Sequence, residues 1–341
     1  TELANWNVKE YWAVSTTPGG TPGGYEMLIP AKSIVINEVL AHSHNTLPDW
    51  IELHNTSNIN IDIGGWYLSD SATKLQKYQI PSGVVVPAQG YVVFNETEHF
   101  GGYFGLSENG EVVYLSSAIG GVLTGYQESE DFGASATGVS FGRYQKSDGS
   151  YNFVSMSGVT PGEANALPLV GPLVITEIMY NPLGNGDAEY IEIANISSEP
   201  VNMWYEDTNT AEIIPWRILD ESGVMLEFPL GVTMLAGEKI LLVYDINDYI
   251  DEFGQMPYGT QYYQWTTGKL SNSGEKLELQ MPGDTDGLVR YFIRVDRVNY
   301  DDSDPWPTTP DGDGDSLNRI NPDLYGNDSI NWSAEDPTPG E

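Results

Sequence analysis

Apolar residues along this chain come in short β-branched or aromatic runs of strand length, each closed by glycine or proline. Such runs occupy residues 33–39, 49–55, 90–96 and 111–117, with breaks at Gly64-Gly65, Pro81, Gly83, Pro87, Gly90 and Gly110. In Trp50-Ile51-Glu52-Leu53 strict alternation sends Ile51 and Leu53 to one face and Trp50 and Glu52 to the other, and Ile191 and Ile193 repeat the pattern. Long helix-forming runs are few. Seven or more short strands with regular turns predict an all-β sandwich.

The same pattern occurs twice in the same order, the signature of duplication. Ile36-Asn37-Glu38-Val39 returns as Ile175-Thr176-Glu177-Ile178, and 49–55 (DWIELHN) returns as 189–195 (EYIEIAN). Gly65-Trp66-Tyr67-Leu68-Ser69-Asp70 returns as Pro215-Trp216-Arg217-Ile218-Leu219-Asp220, Ile80-Pro81-Ser82-Gly83 as Phe228-Pro229-Leu230-Gly231, and 106–111 (LSENGE) as 270–275 (LSNSGE). Both copies close on Thr-Pro-Gly-Glu, at 160–163 and 338–341. The expected organisation is two tandem domains, 31–166 and 169–341, joined by Ala166-Leu167-Pro168. Residues 1–30, with Trp6 and Thr17-Pro18-Gly19, read as the remnant of a preceding repeat plus a linker, so the chain is expected to be a piece of a larger protein.

The motifs INEV, DWIELHN, IGGWYLSD, IPSG and AQGYVVF of the first copy resemble the lamin tail domain found in large secreted bacterial proteins. The resemblance covers 31–166 well and 169–341 more loosely, the second copy departing through an insertion around 204–214 and a longer acidic loop at 301–316. It implies two tandem immunoglobulin-like β-sandwiches without catalytic residues, and an extracellular or cell-surface setting.

Composition narrows the functional classes. With 14 Lys+Arg against 49 Asp+Glu, the formal net charge is -35, which repels phosphate backbones and anionic membranes and argues against nucleic acid and membrane insertion. It attracts divalent cations. At 40% hydrophobic with 9 Trp and 21 Tyr the chain holds enough apolar surface for real cores, so disorder is not expected despite the acidity. Absence of cysteine excludes disulfides and thiolate chemistry.

Four constellations carry possible chemistry. Asp301, Asp302 and Asp304 precede Asp311-Gly312-Asp313-Gly314-Asp315, an alternation of hard oxygen ligands suited to Ca²⁺; Asp311, Asp313, Asp315, Asp301 and Asp302 are the candidate metal ligands. It is not an EF-hand, because Ser316 replaces the turn glycine and Pro322 the bidentate glutamate. His42-Ser43-His44 offers two imidazoles, yet all 4 His lie in the first copy and no four-ligand set is visible. Gly138-Val139-Ser140-Phe141-Gly142 matches a hydrolase nucleophile elbow in letters, without the strand-to-helix turn that motif needs. Glu38 with Glu177, and Glu52 with Glu192, survive duplication; paired carboxylates can serve glycoside hydrolysis, but acceptance of hydrogen bonds from turn backbones or pairing with Arg143 and Arg319 explains them better.

Trp66 and Trp216 read as core landmarks. Trp12, Trp204, Trp265 and Tyr262-Tyr263 could instead stack on a sugar or a protein partner, although core or loop packing explains them better. The sequence therefore predicts a non-catalytic structural or adhesive module that spaces other domains or binds a protein, working beside flanking domains of its parent chain. A Ca²⁺-assisted carbohydrate- or protein-binding module stands as the alternative, and a hydrolase using paired carboxylates as the least favoured.

Overall fold

The computed structural model describes residues 13–14, 29–44, 47–184, 186–208, 210–221, 223–265 and 267–341. Expectations placed on Trp6, Trp12 and Thr17-Pro18-Gly19 lie outside them. The chain divides into two compact units, the first running to Tyr144 and including Tyr151–Pro168, the second comprising Gln145–Ser150 and Leu169–Glu341.

In the first unit the principal strands are β1 (Ile34–Leu40), β2 (Trp50–Asn55), β3 (Tyr67–Ser69), β4 (Tyr78–Gln79), β5 (Tyr91–Asn95), β6 (Gly110–Ile119), β7 (Val122–Gly133), β8 (Phe141–Gln145) and β9 (Tyr151–Ser155). One sheet runs β9-β8-β1-β2-β5 and the other β7-β6-β3-β4. Their inner faces share one core, in which Ile34, Ile36, Ile51, Leu53, Phe94 and Phe141 meet Leu68, Tyr78, Val113, Leu115, Tyr126 and Phe132. This is the sandwich that the alternation predicts, and the strands agree with the predicted runs to within two residues at each end. Trp66 lies in that core, and Tyr126 ties the sheets together by donating its hydroxyl to the Ile34 carbonyl at 2.7 Å.

The first unit extends through Pro168: Ser157 donates its amide to the Leu167 carbonyl at 2.9 Å, and Met156 bridges Pro168. Strand β2 is buried on both faces. Ile51 and Leu53 point into the sandwich, whereas Glu52, on the opposite face, is 0% exposed. Something must cover that outer face, and what covers it positions the site described below.

The second unit contains β10 (Leu173–Met179), β11 (Tyr190–Asn195), β12 (Arg217–Asp220), β13 (Gly223–Glu227), β14 (Lys239–Val243), α1 (Ile246–Phe253), β15 (Gln261–Gln264), β16 (Glu275–Asp286), β17 (Val289–Tyr300), β18 (Ser316–Arg319) and β19 (Trp332–Glu335). Its sheets run β15-β14-β11-β10-β18-β19 and β13-β12-β16-β17. Read from β19, the larger sheet has the order of β9-β8-β1-β2-β5 with one strand added, β15, which pairs parallel to β14. The segment 204–214 forms a small hairpin, Trp204–Glu206 against Ile213–Pro215.

Two turn devices recur. Asn55 and Asn195 each donate a side-chain amide to carbonyls of two neighbouring loops, and each accepts from the amide and hydroxyl of the serine two residues on. Gly110 opens β6 and Gly274 immediately precedes β16, at φ of 98° and 94°, where a Cβ would stand 2.6 Å from the Phe132 carbonyl oxygen and 2.5 Å from that of Tyr300. Only glycine satisfies both the dihedral and the approach.

Helix α1 is absent from the sequence reading, because eight residues are too few to show a helical period. Asp245 caps it, accepting from the amides of Asn247 and Asp248. Its Tyr249 packs with Met179, Tyr190, Leu241 and Val243 in a small second core on the outer face of the sheet. No helix among the described residues is long and apolar enough to cross a membrane.

Candidate functional site

The covered outer face of β1 and β2 holds two glutamates. Residue 37 is an extra residue in β1, a bulge that brings Glu38 directly opposite Glu52 across the strand pair. Residue 176 does the same in β10, setting Glu177 opposite Glu192. Facing like charges destabilise a sheet, and all four carboxylates are buried, at 0% and 0% exposure in the first unit and 1% and 1% in the second. They persist because donors surround them.

The closing Thr-Pro-Gly-Glu segment supplies the main donors in both units. Thr160 donates its amide to Glu38 at 3.2 Å and its hydroxyl at 2.8 Å, and Gly162 donates its amide to Glu52 at 2.5 Å. Thr338 donates its amide to Glu177 at 3.0 Å, and Gly340 donates its amide to Glu192 at 2.7 Å. The local sequence suits this task. Threonine and glycine each present an N–H, the proline between them has none to leave unsatisfied, and the glycine turns the chain at φ of 88° or 84°.

Further donors match across the units. Ser140 and Ser316 each donate a hydroxyl at 2.5 Å, to Glu38 and Glu177. The bulge residues reach the second glutamate, Asn37 donating to Glu52 at 2.7 Å and Thr176 to Glu192 at 2.6 Å. The second unit adds the Tyr190 hydroxyl on Glu177 and the Lys239 ammonium 2.9 Å from Glu192.

Burial pushes the Glu52 carboxyl up to about 7, against the hydrogen bonds from Gly162 and Asn37 that favour its charge; neighbouring Glu38 raises it further. Burial likewise raises Glu177, opposed by Ser316, Tyr190 and Thr338. Buried behind the closing segment and committed to internal donors, these carboxylates present no face to a substrate. The arrangement is a clasp that fastens the end of each unit onto its central strands.

Of the two explanations offered by the sequence, turn-backbone donation is the one observed. Pairing with the arginines is not: Arg143 lies 2.9 Å from Glu130, and Arg319 lies 2.7 Å from Asp296 while donating to the Ile175 carbonyl. Each arginine thus ties its strand to the opposite sheet. Sequence reasoning saw the repeated glutamates and the repeated Thr-Pro-Gly-Glu separately. The available signal was that two facing carboxylates require donors and that a Thr-Pro-Gly turn supplies two.

The other candidates resolve individually. Ser140 is fully buried on Glu38 and is no nucleophile elbow. His42 uses both ring nitrogens, toward the Ser135 carbonyl and the Thr137 hydroxyl, each at 2.9 Å. Trp216 and Trp265 lie in the second core, so Trp265 is not an exposed platform, whereas Tyr262 is 46% exposed.

In the acidic loop, Asp301 accepts from the Ser303 amide at 2.9 Å and from its hydroxyl, Asp311 accepts from the Asn181 side chain at 2.7 Å, and Asp315 accepts from the Thr309 hydroxyl. Asp302 is half-buried and Asp313 exposed. Among the described residues no three His, Cys, Asp or Glu side chains are grouped to hold a metal. Close by, the buried Tyr180 hydroxyl has no hydrogen-bond partner, and burial with the charges of Asp311, Asp302 and Asp301 raises its pKa.

Fold and clasp together define an all-β protein of immunoglobulin-like sandwich type. Residues 29–130 match the family model of the Lamin Tail Domain, a span that takes in β1 and β2 with both glutamates and stops short of the closing segment. No curated protein and no solved structure matches the chain.

A carboxyl whose folded pKa is raised contributes stability that is fully present below its unfolded value, 4.5, and is lost as pH rises through about 7. Melting curves of the chain and of Glu52→Gln, recorded from pH 4.5 to 8, are expected to show the stability advantage of the natural residue shrinking across that window. A difference independent of pH would contradict the assignment.

Proposed function

We propose that the chain is two successive copies of a lamin-tail-like module serving as a non-catalytic, extracellular structural or adhesive segment that spaces and displays neighbouring domains of a larger protein. The observation that carries this reading is the clasp. Each unit commits two buried carboxylates to holding its Thr-Pro-Gly segment against the central strands, so that segment resists being peeled from the sandwich. A spacer needs that property, because tension enters a module where the chain enters and leaves it. The match of 29–130 to a family of immunoglobulin-like, non-enzymatic domains supports the same reading.

Pulling the chain by its ends in an atomic-force microscope tests it. Two resisted unfolding events are expected, releasing about 480 and 600 Å of chain at roughly 3.5 Å per residue. Extension without resisted events would remove the spacer reading.

A second reading is Ca²⁺ bound by the 301–315 loop through Asp301, Asp302, Asp311, Asp313 and Asp315, in support of protein or glycan binding. The density of hard oxygen ligands along the loop supports it, and the charges of Asp311, Asp302 and Asp301 reach the buried, unpartnered Tyr180 hydroxyl. Binding would require these carboxylates to draw together, since they are not grouped for a metal as they stand. On this reading millimolar Ca²⁺ raises the melting temperature over an EDTA control, as a ligand of the native state does, and Asp311→Asn with Asp313→Asn abolishes the shift. A shift equal to that from Mg²⁺ would leave the loop as solvated surface.

A further inference from the structure

The outer face of the β13-β12-β16-β17 sheet reverses the sign of the rest of the chain. Leu277 and Leu279 point into the core, so Lys276, Glu278 and Gln280 alternate onto the outer face. Strand register flanks Glu278 with Arg297 on one side and Leu219 on the other, sets Asn299 beside Lys276, and sets Arg294 beside Gln280, whose other neighbour is Arg217. Four of the chain's 14 Lys and Arg therefore stand in three adjacent rows. They share two carboxylates, Glu278 and Glu227, the latter opposite Arg217.

Those carboxylates do not saturate the cations. Lys276 and Arg294 reach Glu278 at only 3.6 and 3.5 Å. Arg217 donates to Gln280 at 3.0 Å and lies over the Phe292 ring, 3.5 Å from its centroid, two contacts that hold its guanidinium in place. The Arg297 Nε is buried without an acceptor. Burial and adjacent Arg294 both work against the charge of Arg297. Burial also opposes the charge of Glu278, yet Arg294, Lys276 and Arg297 outweigh it and hold its carboxyl below the ordinary range. Two arginines and a lysine crowded on one carboxylate leave room, electrostatically, for more carboxylates.

The matching face of the first unit has none of this. There Val112, Tyr114 and Ser116, alternating with core residues Val113 and Leu115, stand opposite Asp131, Ser129 and Gln127. The cationic face is therefore particular to the second unit and is not required by the sandwich. A bland role exists for charged residues on the outermost strand β17, which is to discourage edge pairing. That role does not extend to Arg217 and Lys276 on interior strands.

We propose that this face, centred on Arg217, Lys276, Arg294 and Arg297, docks the acidic surface of a second copy of this chain. Charge complementarity selects the occupant: outside these four cations the chain has 10 Lys and Arg against 49 Asp and Glu, so another copy presents carboxylates on nearly any surface. A cationic patch on one copy meeting an acidic surface on the next is a heterologous contact, the kind that builds chains or rings. The chain can resist extension whether or not copies associate, so this assignment and the spacer reading fail separately.

The salt dependence is distinctive. At about 0.01 M salt, with a Debye length of roughly 30 Å, whole-chain repulsion dominates; at about 1 M, near 3 Å, local pairs are screened; association is strongest between, near 0.15 M. Sedimentation velocity on the full chain at these three concentrations is the test. The expected result is concentration-dependent growth in mass that peaks near 0.15 M salt and is weakened at least about tenfold by Arg294→Glu with Arg297→Glu. The milder Arg294→Gln with Arg297→Gln, checked for an unchanged melting temperature, should weaken it in the same direction. A monomer at all three salts, or association untouched by both variant pairs, overturns the proposal. So does a monomer that binds polygalacturonate through the same arginines, which would give the face to an anionic glycan.

Discussion

Two glutamates facing each other across adjacent strands, out of water, form the constraint on which each unit depends. An uncompensated buried charge costs several kcal/mol, so the strands carrying Glu38 and Glu52, or Glu177 and Glu192, keep their pairing only while donors from elsewhere remain in place. The donors come from the far end of each unit. Thr160 and Gly162 act on residues more than a hundred positions earlier, as do Thr338 and Gly340. Chain closure and the central strand pair are thereby made one cooperative element, and the hydroxyls of Ser140 and Ser316 draw β8 and β18 into it.

The inner and outer faces of the central strands divide the work. Inward, Ile51, Leu53, Ile191 and Ile193 supply the hydrophobic stabilisation common to any sandwich. Outward, the polar network contributes little net stability, because hydrogen bonds exchange against water. It contributes register: a slip by one residue would turn each glutamate into the apolar core. The bulges at 37 and 176 are part of that device, since without the extra residue the two carboxylates would not stand on one row.

Much of the fold was legible in the sequence, and for identifiable reasons. Period-2 alternation at 50–53 and 190–193 marked strands with one apolar face, and glycines such as Gly110 marked breaks between strands, although only the structure shows that Gly110 and Gly274 tolerate no side chain. The clasp was visible only as unconnected parts, because hydrogen bonds between segments so far apart leave no local periodicity. Arg143 and Arg319 illustrate the limit: recurrence showed that they matter, but their partners Glu130 and Asp296 sit at different points along the long hairpins, so recurrence could not name them. Strand β15 has no counterpart in the first unit, and α1 answers there only to a five-residue helical turn at Glu96–Phe100, so repetition could not reveal either. The cationic face was hidden by the overall charge, since rows formed by three separate strands do not appear as a run.

The clasp consists in Thr160, Gly162, Thr338 and Gly340 spending their amides on buried carboxylates. Native-state hydrogen exchange, read residue by residue by nuclear magnetic resonance, measures this directly. These four amides belong to closing segments outside the strand ladders, and they are expected to exchange as slowly as the amides of β2 and β11, opening only with their own unit. Exchange at the rate of a solvated loop would contradict it, leaving the facing glutamates without the donors that justify their burial.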